Sequence, residues 1–390
     1  MTQRVQPIYL DNAATTQPAP EVVDAMADVL RNSWGNPSSA HEIGSLAKMR
    51  LEESRAAIAQ LMGCRDDEVY FTSGGTEADN WALLGTLDYW RGKRTHLITA
   101  ATEHHAVIDV AKWWKDRGGD VTILPVDSDG LLDPQDVAKA ITEKTAIVSV
   151  MFVNNELGTI QDIPAIGTVC REREVTFNSD CVQSFGKLTF TFPELNADMA
   201  SISSHKIYGP KGVGALIIKR GTRISPRFIG GSQERKLRTG TENTPGIVGF
   251  GKAASVCRDK FAEETPRIAE MRDRLESLIF ERIPDVRVNG SRVQRAPAVL
   301  NISFLGCEGE ALLIAMDRKG FCVSTGSACS AGAIGASHVL IALGLDPITA
   351  QASLRFSFGR FNSMADVDAL MDVLPDVVQR QRALAPAAMR

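Results

Sequence analysis

Between residues 66 and 220 the chain follows a repeating scheme, in which short apolar runs of strand length alternate with amphipathic stretches of helical length. Residues 97–102 (LITAAT) predict a strand, 105–117 a helix, 121–126 a strand, and 145–153 (TAIVSVMFV) a strand buried on both faces. A helix over 160–174 and strands over 175–180, 199–203 and 214–219 continue the scheme, and 69–72 begins it. This alternation predicts an α/β layer on a mostly parallel sheet. Ligands of such sheets bind beyond the carboxyl ends of the strands, so chemistry is expected there.

After the loop at 230–246 a long, polar-faced helix is predicted over 251–283, leading into a smaller α+β part. That part has strands at 298–304, 321–324 and 354–358 and helical stretches at 309–319 and 365–383, with Pro375 expected to kink or divide the last. The expected division is a large domain over 15–255 and a small one from 1–14 and 256–390, which suits a chain of 390 residues.

Composition narrows the function classes. Apolar residues at 44% and charged residues at 23% are those of a globular protein. A net charge of −4 lacks the basic excess that direct nucleic-acid binding requires. No apolar run approaches the roughly 18–20 residues that span a bilayer, and residues 1–10 do not resemble a signal peptide, so a cytoplasmic enzyme without membrane contact is expected. The 7 cysteines are odd in number and no pair has CxxC spacing, which disfavours a disulfide framework or a cysteine-based metal site. No Walker A motif is present, because Lys93, Lys187 and Lys252 follow glycine but none precedes Ser or Thr, and there is no HExxH.

What remains is a set of polar residues at strand ends. Ser73-Gly-Gly-Thr76 opens a helix, so its backbone N–H groups are suited to an anion. Ser203, His205 and Lys206 follow a strand and precede a glycine-rich turn. Asp180 closes another strand, with Gln183 three residues on, and His104 follows a third. Each has a plain structural reading as a cap, a surface charge or a satisfied histidine. Together they offer an anion site, an amine, a carboxylate for a ring nitrogen and a face to stack on a ring, which are the requirements of pyridoxal 5'-phosphate.

The chain resembles the NifS/IscS-type cysteine desulfurases, of the class V aminotransferase group among fold-type I pyridoxal phosphate enzymes. The likeness rests on IYLDNAATT (8–16), WGNPSSAH (34–41), TSGGTEADN (72–80), TEH (102–104), NNELG (154–158), DCVQSFGK (180–187), SSHKIYGPKGVGAL (203–216), RTGTEN (238–243), SACS (327–330) and RFSFGR (355–360). It implies a fold-type I large domain with a mostly parallel seven-stranded sheet, Lys206 as the Schiff-base lysine, Asp180 on the pyridine nitrogen, Gln183 on the ring hydroxyl and His104 stacked on the ring as acid and base. Gly75, Thr76, Ser203 and His205 would hold the phosphate, with Thr241 supplied by the second subunit of a homodimer. Asn155 would sit beside cofactor and substrate, and Arg355, helped by Asn36, would clamp the substrate carboxylate.

Cys329 decides the reaction. It lies in a run of small residues with glycines, expected to form a mobile loop over about 323–338, where a packing cysteine is out of place. The implied chemistry converts L-cysteine to L-alanine: Lys206 removes the Cα proton, the Cys329 thiolate takes the sulfur as a persulfide, and an acceptor protein receives it for iron–sulfur assembly or another thiolation pathway. Asn178, Ser232, Gln233 and the segment 334–336 depart from the pattern of close relatives. Rival readings are another class V enzyme, such as a selenocysteine lyase or an aminotransferase, and a catalytically silent sulfur-transfer scaffold. The retention of Lys206 and Cys329 speaks against the scaffold.

Overall fold

A computed structural model describes residues 7–325 and 335–384. The short strand β1 (Ile8–Tyr9) enters first, followed by α1 (Pro20–Asn32) and α2 (Glu42–Met62), two helices outside the alternating region. The large sheet comprises β2 (Val69–Thr72), β3 (His96–Ala100), β4 (Asp120–Leu124), β5 (Thr145–Ser149), β6 (Thr176–Asp180), β7 (Met199–Ser203) and β8 (Gly214–Ile218), in the order β2-β8-β7-β6-β5-β3-β4. Only β8 runs against its neighbours. The seven-stranded, mostly parallel sheet expected from the sequence is therefore present. Every residue of β3, β5 and β7 is buried, as befits parallel strands covered on both faces.

Helices α3 (Gly75–Tyr89), α4 (His105–Lys115), α5 (Pro134–Ala140) and α6 (Ile163–Glu172) occupy the crossovers. Their starts are legible in the chain: Asp133 and Asp162 cap α5 and α6 by accepting the N–H groups of Gln135 and Ala165, and a proline follows within each first turn. The strand expected over 145–153 ends at Ser149, but Val150 and Phe152 still donate N–H bonds to the carbonyls of Asn178 and Asp180. The chain thus stays apolar and extended toward Asn154 after leaving the regular ladder.

The long helix α7 (Thr244–Arg282) begins earlier than the apolar pattern indicates, because Asn243 caps it and Pro245 fills its first turn. Its first half supplies Ile247, Phe250 and Ala253 to the core beneath the large sheet. Its second half supplies Met271, Leu275 and Ile279 to a separate core with Leu10, Ile302 and Phe356. That second core lies on the antiparallel sheet of β9 (Val286–Val288), β10 (Val299–Phe304) and β12 (Ser353–Ser357), with β11 (Phe321–Cys322) paired in parallel to β1 and α8 (Gly309–Arg318) packed alongside. Pro375 divides the final helical stretch: one helix ends at Met371 and the next spans Leu374–Leu384.

Candidate active site

Beyond the carboxyl ends of β2, β3, β5, β6 and β7 lies a cavity of ≈ 180 Å³. Gly75, Thr76, His104, Asn155, Asp180, Gln183, Ser203, His205, Lys206 and Arg355 all line it, joined by Ala13, Ala14, Asp79, Met151 and Val182. Residues as far apart as Ala13 and Arg355 meet there because most stand at or just beyond the end of a strand, while Arg355 lies on β12. Asn36 and Thr241 are exposed and do not line it. Cys329 lies outside the described residues.

Lys206 ends a short 3-10 turn after β7, and its Nζ donates to the carbonyls of Ala13 at 2.8 Å and Ala14 at 2.6 Å. The N-terminal strand and its following turn thereby hold the amine at the cavity wall. Asp180 is buried at the end of β6, and its Oδ1 accepts the N–H of Val182 at 2.8 Å. Burial raises its pKa to about 6, against the opposing pull of the Val182 N–H and the Lys206 ammonium. A cation placed against this carboxylate would relieve the burial cost and favour the ionised form.

Both histidines of the cavity are neutral at pH 7. His104 caps α4 by accepting the Ala106 N–H on Nδ1 at 3.0 Å, and burial followed by the charge of Lys206 lowers its pKa to about 4. That acceptor bond places any ring proton on Nε2. His205 Nδ1 lies 3.1 Å from the Thr15 hydroxyl, and burial, then Lys206 and Lys187, lowers it to about 3. Two further carboxyls lie at or near the cavity: Asp79, which lines it, and Glu103 are buried and held well above the usual carboxylate range, by burial first and by Asp180 nearby.

Arg355 is 1% exposed, donating from Nη2 to Asp11 Oδ1 at 2.7 Å and from Nη1 to the Asn155 carbonyl at 2.8 Å. The partner that the sequence reading assigned to it, Asn36, instead accepts the N–H of Ser38 on its own loop. Asp11 takes that place because the bridge Asp11–Ser357 sets the two segments side by side. Its signal was present in the IYLDNAATT stretch, but only pairing between the chain's start and β12 turns it into a contact. Asn178, two residues before Asp180, lies buried within β6 and donates to the Ser149 hydroxyl at 3.0 Å.

A profile of the aminotransferase class-V family matches residues 8–370. A cysteine desulfurase IscS of Methanosarcina thermophila is 43% identical over 97% of this chain and 94% of its own length. A cysteine desulfurase of Nostoc sp. is 44% identical over 97% and 94%. Among solved structures, a NifS-like protein superposes with a TM-score of 0.90 at 33% identity, covering 96% of this chain and all of that one. A strand-end cavity with an amine, a buried carboxylate and an anion corner defines the fold-type I pyridoxal phosphate class. The chain belongs to the aminotransferase class-V family and, within it, to the cysteine desulfurases, which are pyridoxal phosphate enzymes.

The residues present fit that cofactor on structural grounds. The Ser203 hydroxyl is buried with no partner among the described residues and lines the cavity beside Gly75, Thr76 and His205. A buried hydroxyl of this kind needs a partner, which a phosphate oxygen would provide. Gly75 opens α3, so the positive end of the helix faces the same corner. A Cβ at this position would meet a Val182 methyl at 2.7 Å, so a side chain here would push Val182 aside.

Proposed function

We propose that the chain carries out the desulfurase reaction through Lys206 and Cys329, with the other cavity residues in the roles their positions suit. The observation that carries this reading is the convergence of the Lys206 amine, the Asp180 carboxylate and the Arg355 guanidinium on one cavity. Bound pyridoxal phosphate supplies an electron sink for negative charge at the Cα of an amino acid linked to it. Lys206 would hold the cofactor through its amine and, once free of it, would take the substrate's Cα proton on Nζ. Asp180 would favour a protonated ring nitrogen by Coulomb attraction. His104, kept neutral by its burial, would face the ring and could exchange protons through Nε2. Gln183 would donate to the ring oxygen. Gly75, Thr76, Ser203 and His205 would hold the phosphate, and Arg355 and Asn155 would orient the substrate carboxylate.

The Cys329 thiolate attacks the substrate sulfur: a new S–S bond forms, the C–S bond breaks, and its electron pair remains on the carbon fragment that is protonated and released as L-alanine. The persulfide then passes to an acceptor protein. Two facts support this role. Ser324 exchanges backbone hydrogen bonds with Arg355, at 2.6 and 3.2 Å, and Cys329 follows it by five residues, a reach of at most ~18 Å. The six described cysteines are all held as thiols: burial leads the upward shift at each, to about 12 at Cys64 and Cys181 and about 11 at Cys257.

The reading also takes the protein as a cytoplasmic homodimer in which Thr241 reaches the partner's cavity, since Thr241 is exposed and away from its own. The large domain is taken as 15–255, the small one as 1–14 with 256–390. No helix among the described residues is long and apolar enough to cross a membrane. The test is mass spectrometry of the intact protein after brief exposure to L-cysteine. An added sulfur on Cys329, absent in Cys329→Ser, is expected, and sulfide release undiminished in Cys329→Ser would remove the persulfide from the mechanism.

A further inference from the structure

Lys187 closes the DCVQSFGK stretch and has no part in the chemistry above. It is packed between the cofactor cavity and a second, smaller cavity that it lines together with Gln183, Cys257 and Glu264. Its Nζ donates to Gln183 Oε1 at 2.8 Å. On the other side of the same amide, Gln183 Nε2 donates to the Ala13 carbonyl at 2.8 Å, and that carbonyl also accepts Nζ of Lys206 at 2.8 Å. A hydrogen-bonded chain therefore runs from Lys187 through Gln183 and Ala13 to Lys206.

A glutamine amide offers an acceptor on one side and two donors on the other, and only its partners decide which way it points. Lys187 Nζ donates to Oε1 and the Ala13 carbonyl can only accept, so the two contacts together set Oε1 on the Lys187 side. Nε2 is then turned toward the cavity, with one N–H spent on Ala13 and the second left for the ring oxygen. We propose that Lys187 is a positioning residue that locks the Gln183 amide so that it presents N–H, and not a carbonyl oxygen, to the cofactor. This rests on the assignment of Gln183 to the ring oxygen made above. The groups that set the charge of Lys187 are consistent with a dry, crowded position: burial, then Lys206, and more weakly Arg355 lower its pKa to about 7, while Cys257 opposes them.

The test uses the holoenzyme and reads the pH titration of its visible absorbance, together with the cofactor dissociation constant by equilibrium dialysis. Lys187→Met is expected to move the titration midpoint and weaken cofactor binding about fivefold, the scale of one lost hydrogen bond. Lys187→Arg, which restores a donor, is expected to return both readings toward wild type, and adding Lys187→Met to Gln183→Ala is expected to change neither further. Should Lys187→Met fail to fold, Lys187→Gln serves, expected to retain only part of the effect of the native Nζ donor. Lys187→Met or Lys187→Gln indistinguishable from wild type in both readings, with Gln183→Ala shifted, would overturn the proposal alone. Gln183→Ala indistinguishable from wild type would overturn the Gln183 assignment and the proposal with it.

Discussion

The floor of the cavity and its rim are built differently. On the floor, Asp180, Ser203 and Gln183 are buried and sit at or just after strands of the central sheet; Asp180 is held by the Val182 N–H and Gln183 by the Ala13 carbonyl. Outside the lining, on the polar loops we take as the rim, Asn36 and Thr241 are exposed and do not line the cavity. Near Thr241 the loop carries consecutive left-handed residues, Glu234, Arg235 and Lys236, at φ 42, 56 and 68, held down by the buried Glu234–Arg55 ion pair at 2.7 Å. The floor is preorganised by one chain. The loop before Thr241 is held in place yet does not reach its own chain's cavity, and the proposed second subunit gives Thr241 a cavity to contact.

This contrast predicts that substitutions on the floor cost far more than those at the rim. The largest effect is expected for Lys206→Ala, which should lose the visible absorbance of the bound cofactor and reduce sulfide release by on the order of 10³-fold or more, as removal of both anchor and proton acceptor would. Retention of colour and activity would take Lys206 out of the floor.

Asp11 comes next, since it fixes Arg355 in the cavity lining. Asp11→Ala frees a guanidinium that is now aimed by its carboxylate, and an about tenfold rise in KM for L-cysteine with a smaller change in kcat is expected, equivalent to ~1.4 kcal/mol. A fall confined to kcat would show that Asp11 serves the chemistry and not the aim of Arg355.

The histidines sharpen the comparison through pH. In the cofactor-free protein His104 and His205 have folded-state pKa values of about 4 and about 3, below the ordinary 6.5. On acidification the unfolded chain therefore takes up these protons first, and stability present above pH ~6.5 is lost progressively toward pH 4. Each histidine contributes up to about 1.4 kcal/mol per pH unit in that window. Denaturant unfolding of the cofactor-free protein across this range checks it: His104→Gln/His205→Gln should lose this acid-side decline, while Asp180, raised to about 6 by burial, still contributes a slope of the opposite sign. The smallest effect is expected at the rim: Thr241→Ala should weaken cofactor binding about fivefold by equilibrium dialysis, and only while the protein is dimeric. Equal affinity in a monomeric form would break the two-subunit account of the rim.

Much of the floor was legible in the chain because it obeys local rules. Strand periodicity ends at Asp180 and Ser203, glycines follow, and polar residues stand where the carboxyl ends of parallel strands must be. Asp11, Asp79 and Lys187 escaped because their local settings are ordinary. Asp11 sits next to a two-residue strand, Asp79 lies within the first turns of a helix, and Lys187 reads as a surface charge after a glycine turn.

The sequence by itself determined the α/β class, the positions of the strand ends and, through its ordered motifs, the family and its cofactor. Those follow from short-range pattern, which each segment carries alone. Only the tertiary structure decided the pairing of Arg355 with Asp11, the neutral state of His104 and the direction in which the Gln183 amide points. Each depends on burial and on a partner tens to hundreds of residues away or in a neighbouring turn, and desolvation and hydrogen-bond polarity come into being only once those parts are packed together.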